Sequence, residues 1–198
     1  MASSPGQVRR EKLEELFGEV LQTHRMVIRP VSVTCQEFCD KGLSKASFVW
    51  QEARKNNIKD LKFQDANGQG FIDSVFSTCM THYSEEFESL KNIKFKNLLV
   101  QPIFRSLRET GTNAETDVVL RLEVQNREEV DFTSRSRSIL FSSYATVLSA
   151  FQFYINCELA FRKLKLLAKD AKSRNRGDLL SDYLYKISHI SEMNSYRE

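Results

Sequence analysis

From Ser136 to Ala168 the sequence contains neither proline nor glycine and repeats its apolar residues at helical intervals. Leu140, Tyr144, Val147, Leu148, Phe151, Tyr154 and Ile155 recur at steps that stack them on one helical face. A second stripe, Ala150, Phe153, Cys157, Ala160, Phe161, Leu164 and Ala168, is rotated by roughly a quarter turn, since each residue advances about 100°. A helix apolar around that much of its girth is buried by neighbours on several sides. The stretch therefore predicts the central helix of a bundle.

Composition agrees with that expectation. Seven Gly and three Pro in 198 residues are few for a turn-rich sandwich or barrel. Fourteen Phe supply a substantial core, and a single domain of this length buries about 70% of its unfolded surface. Charged residues make up 28%, which argues against general disorder. No apolar run approaches the roughly 20 residues of a membrane span, and the amino terminus lacks a secretory signal pattern. The four Cys have no framework spacing, so reduced thiols in the cytoplasm or nucleus are expected. A net charge of +3 is too small to identify a partner.

Other helices are expected around the central one. Ser4, Pro5 and Gln7 read as the start of a first helix carrying Leu13, Leu16, Phe17, Val20, Leu21, His24 and Val27, ended by Arg29-Pro30. Thr34 and Glu37 read as a capping box for a second, with Phe38, Leu43, Ala46, Val49, Trp50 and Ala53 on one face and Gly42 as a break or close-packing point. Ile58, Leu61 and Phe63 suggest a further helical turn. Phe71 to Leu90 is a clean amphipathic helix, and Ile93 to Leu107 reads as a helix kinked at Pro102. The stretch 117–125 alternates Val118, Leu120, Leu122 and Val124 like a strand, but no second alternating run offers a partner, so helix is expected. Asp178 caps a last helix with Leu180, Tyr183, Leu184, Ile187 and Ile190. No repeat at a fixed period is visible. The fold class predicted is all-α: a single-domain bundle (1–198) of about six or seven helices around 136–168.

Four groups of residues carry candidate chemistry. Asp65, Asn67 and Gln69 alternate before Gly70, with Ile72 and Asp73 following, a pattern that resembles an EF-hand calcium loop. The resemblance implies calcium ligation within 65–76, but Phe76 stands where that family places its bidentate Glu. A polar turn in which Asp73 supports a helix N-terminus explains the same residues. Cys35 and Cys39 fall one helical turn apart, as do Cys79 and His82, a spacing that would allow a zinc site if the two helices faced each other. Buried free thiols explain these positions with fewer assumptions, so no metal is favoured. Arg162, Lys163, Lys165, Lys169, Lys172, Arg174 and Arg176 form a basic cluster suited to the phosphates of nucleic acid or acidic lipid, or to a solvated helix end. Ser134, Ser136 and Ser138 alternate with arginines as phosphorylation candidates. Glu158 lies on the main apolar stripe, either buried against a cation or wet beside Arg162 at the bundle's end.

No Gly-x-Ser-x-Gly, phosphate-binding glycine loop or His-Glu-x-x-His is present, and no cofactor is implied. The expectation is a non-catalytic adaptor or complex subunit with a protein partner. The alternatives are a phosphate-directed binder through 162–176 and a calcium-responsive module at 65–76.

Overall fold

The computed structural model describes residues 5–55, 57–103, 114–124, 129–194 and 196. In chain order the elements are α1 (Pro5–Leu21), β1 (Val27–Phe38), β2 (Leu43–Arg54), β3 (Asn57–Gly68), α2 (Phe71–Tyr83), β4 (Ile93–Ile103), β5 (Glu115–Val124), β6 (Glu129–Ser136), α3 (Ile139–Ser173) and α4 (Gly177–Ser191). Short 3-10 turns precede β1 and β4. Two three-stranded antiparallel sheets, β1-β2-β3 and β4-β5-β6, replace the expected all-α bundle, and the fold is mixed α/β. No helix among the described residues is long and apolar enough to cross a membrane.

The helices expected at the start, in 71–90, in 136–168 and after 177 are present as α1 to α4, with shifted ends. Leu21 ends α1 well before Pro30, and His24 is exposed. The capping position of α4 is Arg176 rather than Asp178, and Ser4 lies outside the described residues. The segments read as helices at 34–53, 58–63 and 93–103 are strands, and 117–124 is the central strand of its sheet. The end of the helix expected over 93–107 lies outside the described residues.

β2 carries a pattern that fits both a helix and a strand. Residues four apart share a face in both a helix and a strand, so Ala46 with Trp50 fits either period. The structure chooses the two-residue period: Ser44, Ala46, Phe48 and Trp50 are buried while Lys45, Ser47, Val49 and Gln51 are partly exposed between them. Gly42, at φ 60°, closes the β1–β2 turn in the left-handed region that glycine adopts readily. Pro30 and Pro102 both sit on edge strands, where a missing backbone donor breaks no ladder.

The topology repeats. Each three-stranded meander is followed by a helix, and the pairing registers let the halves be aligned residue by residue. Ile28 pairs with Glu52 as Ile93 pairs with Val124. The irregularity between Pro30 and Ser32 is matched by one between Phe95 and Asn97. Ser44 meets Gly68 as Thr116 meets Ser136. The helices continue the alignment: Thr78 Oγ1 donates to Ser74 O at 2.7 Å, and Thr146 Oγ1 donates to Ser142 O at 2.7 Å. Phe151 of α3 packs on Phe76 of α2 at 5.2 Å between ring centroids and lies 6.4 Å from Tyr83, joining the two units.

The units differ in what covers them. α1 packs on β6 and α3, and α4 packs along α3. The helix expected at the centre of a bundle is buried against sheets instead, with Tyr144, Val147, Leu148, Phe151, Tyr154 and Ile155 all buried. It also reaches across to the first unit. Asn156 accepts from Met26 N at 2.8 Å and donates to Met26 O at 2.9 Å, while Gln152 accepts from Ile28 N at 2.7 Å. Two side chains of α3 thus satisfy the start of edge strand β1, which its own sheet leaves unpaired.

Candidate functional site

β3 and α2 enclose a groove of about 650 Å³ lined by Lys62, Phe63, Ala66, Thr78, Thr81, His82 and Glu85, among others. A second hollow of about 630 Å³, lined by Glu52, Lys59, Leu61, Tyr83 and Glu86, shares His82 with the first. Phe63 forms the floor because the strand alternation turns it, with Leu61, towards the helix, where it stacks on Trp50 at 4.2 Å. His82, exposed at the end of α2, sets its ring edge-on to Phe63 at 5.2 Å and lies 4.6 Å from Tyr83. Beneath it, Trp50 Nε1 donates to Tyr83 Oη at 2.9 Å. Burial, with the Glu52 carboxylate adding to it, pushes the Tyr83 phenol well above its ordinary value, so it stays neutral. A stacked aromatic floor between polar rims suits recognition of a surface with an apolar centre.

The counterpart of this groove lies between β6 and α3, and there it is filled. By register Phe132 corresponds to Phe63, and both end up under the helix of their own unit. α1 covers Phe132: the Arg10 guanidinium lies 5.2 Å from its ring centroid and donates to Asp131 O at 2.6 Å. Phe17 of α1 packs on Phe153 at 5.5 Å. Phe132 is 1% exposed and Phe17 wholly buried, whereas Phe63 remains half-buried.

The residues singled out in the sequence are scattered. Cys35 lies in β1 and Cys39 in the turn after it, so the shared helical face that the zinc reading needed is absent. Cys79 is fully buried in α2, and burial pushes its thiol up; burial and Glu37 push the Cys35 thiol up to about 11, away from the thiolate a metal requires. Among the described residues no group of three or more His, Cys, Asp or Glu is placed to hold a metal ion. Asp65, Asn67 and Gln69 belong to the end of β3 and the following turn, not to a helix–loop–helix, and Asp65 Oδ1 pairs with Lys45 at 3.0 Å. Asp73 accepts from Gln69 N at 3.0 Å, the helix-start role that competed with calcium ligation. Of these candidates only Asn67 and His82 line the groove.

The basic cluster runs along the far end of α3 into α4. Arg174 pairs with Asp170 at 2.9 Å, Arg176 with Asp178 at 3.2 Å, and Lys165 lies 5.2 Å from the Phe161 ring centroid. Lys163 is partly exposed, and Lys169 and Lys172 are exposed. Arg162 is exposed but engaged, its guanidinium donating to Glu158 and to Glu86 O at 2.6 Å. Glu158, 5% exposed, accepts from Arg162 and from Ser89 N (3.2 Å) and Oγ (2.5 Å), so the wet alternative for this carboxylate is overturned. Asn194 Nδ2 donates to Ser89 O at 2.9 Å, tying the carboxy-terminal segment to the same turn. Ser136 and Ser138 organise the start of α3: Ser138 Oγ accepts from Phe141 N at 3.2 Å, and Ser136 Oγ lies 2.7 Å from Ser142 Oγ. Ser134 is partly exposed in β6.

Lys62, Thr81 and Glu85 carried no signal in the sequence, and Phe63 only that of an apolar position. Only the adjacency of β3 and α2 assembles them. Compared with protein-family models and with curated proteins, the chain matches none.

Proposed function

We propose that this chain is a non-catalytic interaction module, an adaptor or complex subunit acting as one domain on a protein partner. The observation that supports it is the unequal treatment of two matching grooves. One is closed by α1, and the other presents a half-buried aromatic floor between polar rims to solvent. Interfaces of this kind place an apolar, aromatic centre inside a polar border.

The test is photo-crosslinking in cells, with p-benzoylphenylalanine replacing Thr81 in the groove, Leu99 on β4, Leu166 on α3 or Leu184 on α4, all exposed positions. The expected result is a discrete adduct with another protein from at least one position. Adducts from none of them would overturn the proposal.

A further inference from the structure

We propose that the groove between β3 and α2 receives one amphipathic α-helix from a partner protein, seated as α1 is seated between β6 and α3. This rests on the interaction reading above and names the occupant of that site.

The template is internal. The same strand–helix pair occurs twice, and in the second unit the depression between them is occupied by an amphipathic helix. α1 fits there through three contacts: Phe17 on Phe153, Arg10 over Phe132, and the Arg10 guanidinium on Asp131 O. At the matching positions of the first unit the aromatic floor is retained as Phe63, but the borders differ. By strand register Lys62 stands where Asp131 stands, bringing a cation beside the carbonyl position that Arg10 meets. With the helices aligned on their Ser–Thr bonds, Glu85, just past the end of α2, stands where Phe153 receives Phe17.

Those differences specify the ligand. Among the described residues neither Lys62 nor Glu85 is in an ion pair, and both border the groove. A helix docking there carries a Lys or Arg on the α2 side facing Glu85 and an acid on the β3 side facing Lys62. Between them it places an apolar side chain over Phe63 and Ala66. Opposite charges on the two walls fix the direction in which the helix lies, since reversing it sets like charges together. α2 has 13 residues, about 20 Å at 1.5 Å per residue, so the docked length is about three to four turns. This is recognition of a helix in a groove by one face.

The test uses the full chain and two synthetic peptides of residues 5–21, followed by fluorescence anisotropy. The first peptide carries Arg10→Glu with Phe17→Arg, matching the borders; the second carries Phe17→Glu alone, opposing them. The first is expected to bind at least about tenfold tighter, roughly the discrimination expected of one well-placed charge pair. The double variant Lys62→Glu with Glu85→Lys, at two exposed positions, is expected to keep the melting temperature and reverse that preference. No binding of either peptide up to about 1 mM, or a preference unmoved by the double variant, overturns the proposal. In the crosslinking experiment, a partner captured through Leu99, Leu166 or Leu184 but not Thr81 leaves the interaction reading standing and removes the groove helix. A Thr81 adduct to α1 of a second copy removes it too.

Discussion

The two βββα units share the register and bulge of their first strand pair and the Ser–Thr bond inside the first turns of their helices, yet β3 alone carries a second irregularity and the units are finished differently. The second is wrapped by α1 and α4, and its helix runs on to 35 residues. The first keeps a helix of 13 residues and an open flank. The same topology therefore serves once as an interior and once as a surface. What decides between them is the added helices, not the strands. Partition of this kind frees the first unit's rim residues from packing constraints, which is where binding residues accumulate.

The largest effect should come from the matched floor residues. Phe132→Ala should cost about 4 kcal/mol, because it empties a fully buried site beneath α1. Phe63→Ala should cost only about 1 to 2 kcal/mol, since its ring already reaches water. Equal losses in urea denaturation would show that the two grooves are equally enclosed and would break the comparison.

Asn156→Ala comes next, at about 2 to 3 kcal/mol, because the Met26 N–H and C=O would both be left buried without partners. Hydrogen exchange at Met26 and Ile28 should accelerate before exchange in β5 does. Protection unchanged at Met26 would mean that the α3 bridge does not hold β1.

Gly68 and Ser136 occupy matching positions, and a Cβ at Gly68 would sit 2.7 Å from Ser74 N. Gly68→Ser, which copies the second unit, should therefore cost about 1 to 3 kcal/mol through forced separation of β3 from α2. A neutral melting temperature would show that the first unit has slack at that junction.

The smallest effect at neutral pH is expected for Cys79→Val, which copies Val147 and should stay within about 1 kcal/mol of the wild type. Its signature lies in the pH dependence. Burial raises the Cys79 thiol above its ordinary value of 9.0, so the folded state holds that proton more tightly than the unfolded state. The resulting stability is fully present below pH 9.0 and is lost as pH rises above it. Thermal melts from pH 7 to 11 should show the wild type falling more steeply than Cys79→Val at the alkaline end. Parallel curves would remove the thiol as the cause.

The helices were legible because each carries a sustained amphipathic or apolar pattern, and α3 could be placed inside the molecule from its two stripes alone. The sheets were not. β5 displays a clean alternation of Val118, Leu120, Leu122 and Val124, but its neighbours are edge strands. β4 is exposed along most of its length and follows Ile93 with Lys94-Phe95-Lys96, while β6 interleaves Asp131, Ser134 and Arg135. Edges kept polar against unwanted pairing do not look like partners for an apolar strand. The duplication was hidden for a related reason: counterparts drift by a few positions from first strand to second to helix, so no single period exists. His82 and Asn67 have the residue types and spacing of metal ligands, yet the groove they share depends on the β3–α2 contact, which no local pattern encodes.

The bridge from α3 to β1 also governs the order in which the molecule can be completed. Gln152 and Asn156 lie 124 and 130 residues beyond the amides they satisfy, so a chain emerging from the ribosome makes β1 to β3 long before the side chains that finish the first edge. Contacts of that range close slowly, and until they close a strand edge with free donors stands open to pairing with other chains. The first unit, although the first to be made, is thus sealed only by residues of the second, and its vulnerable interval ends only when the long helix has been synthesised.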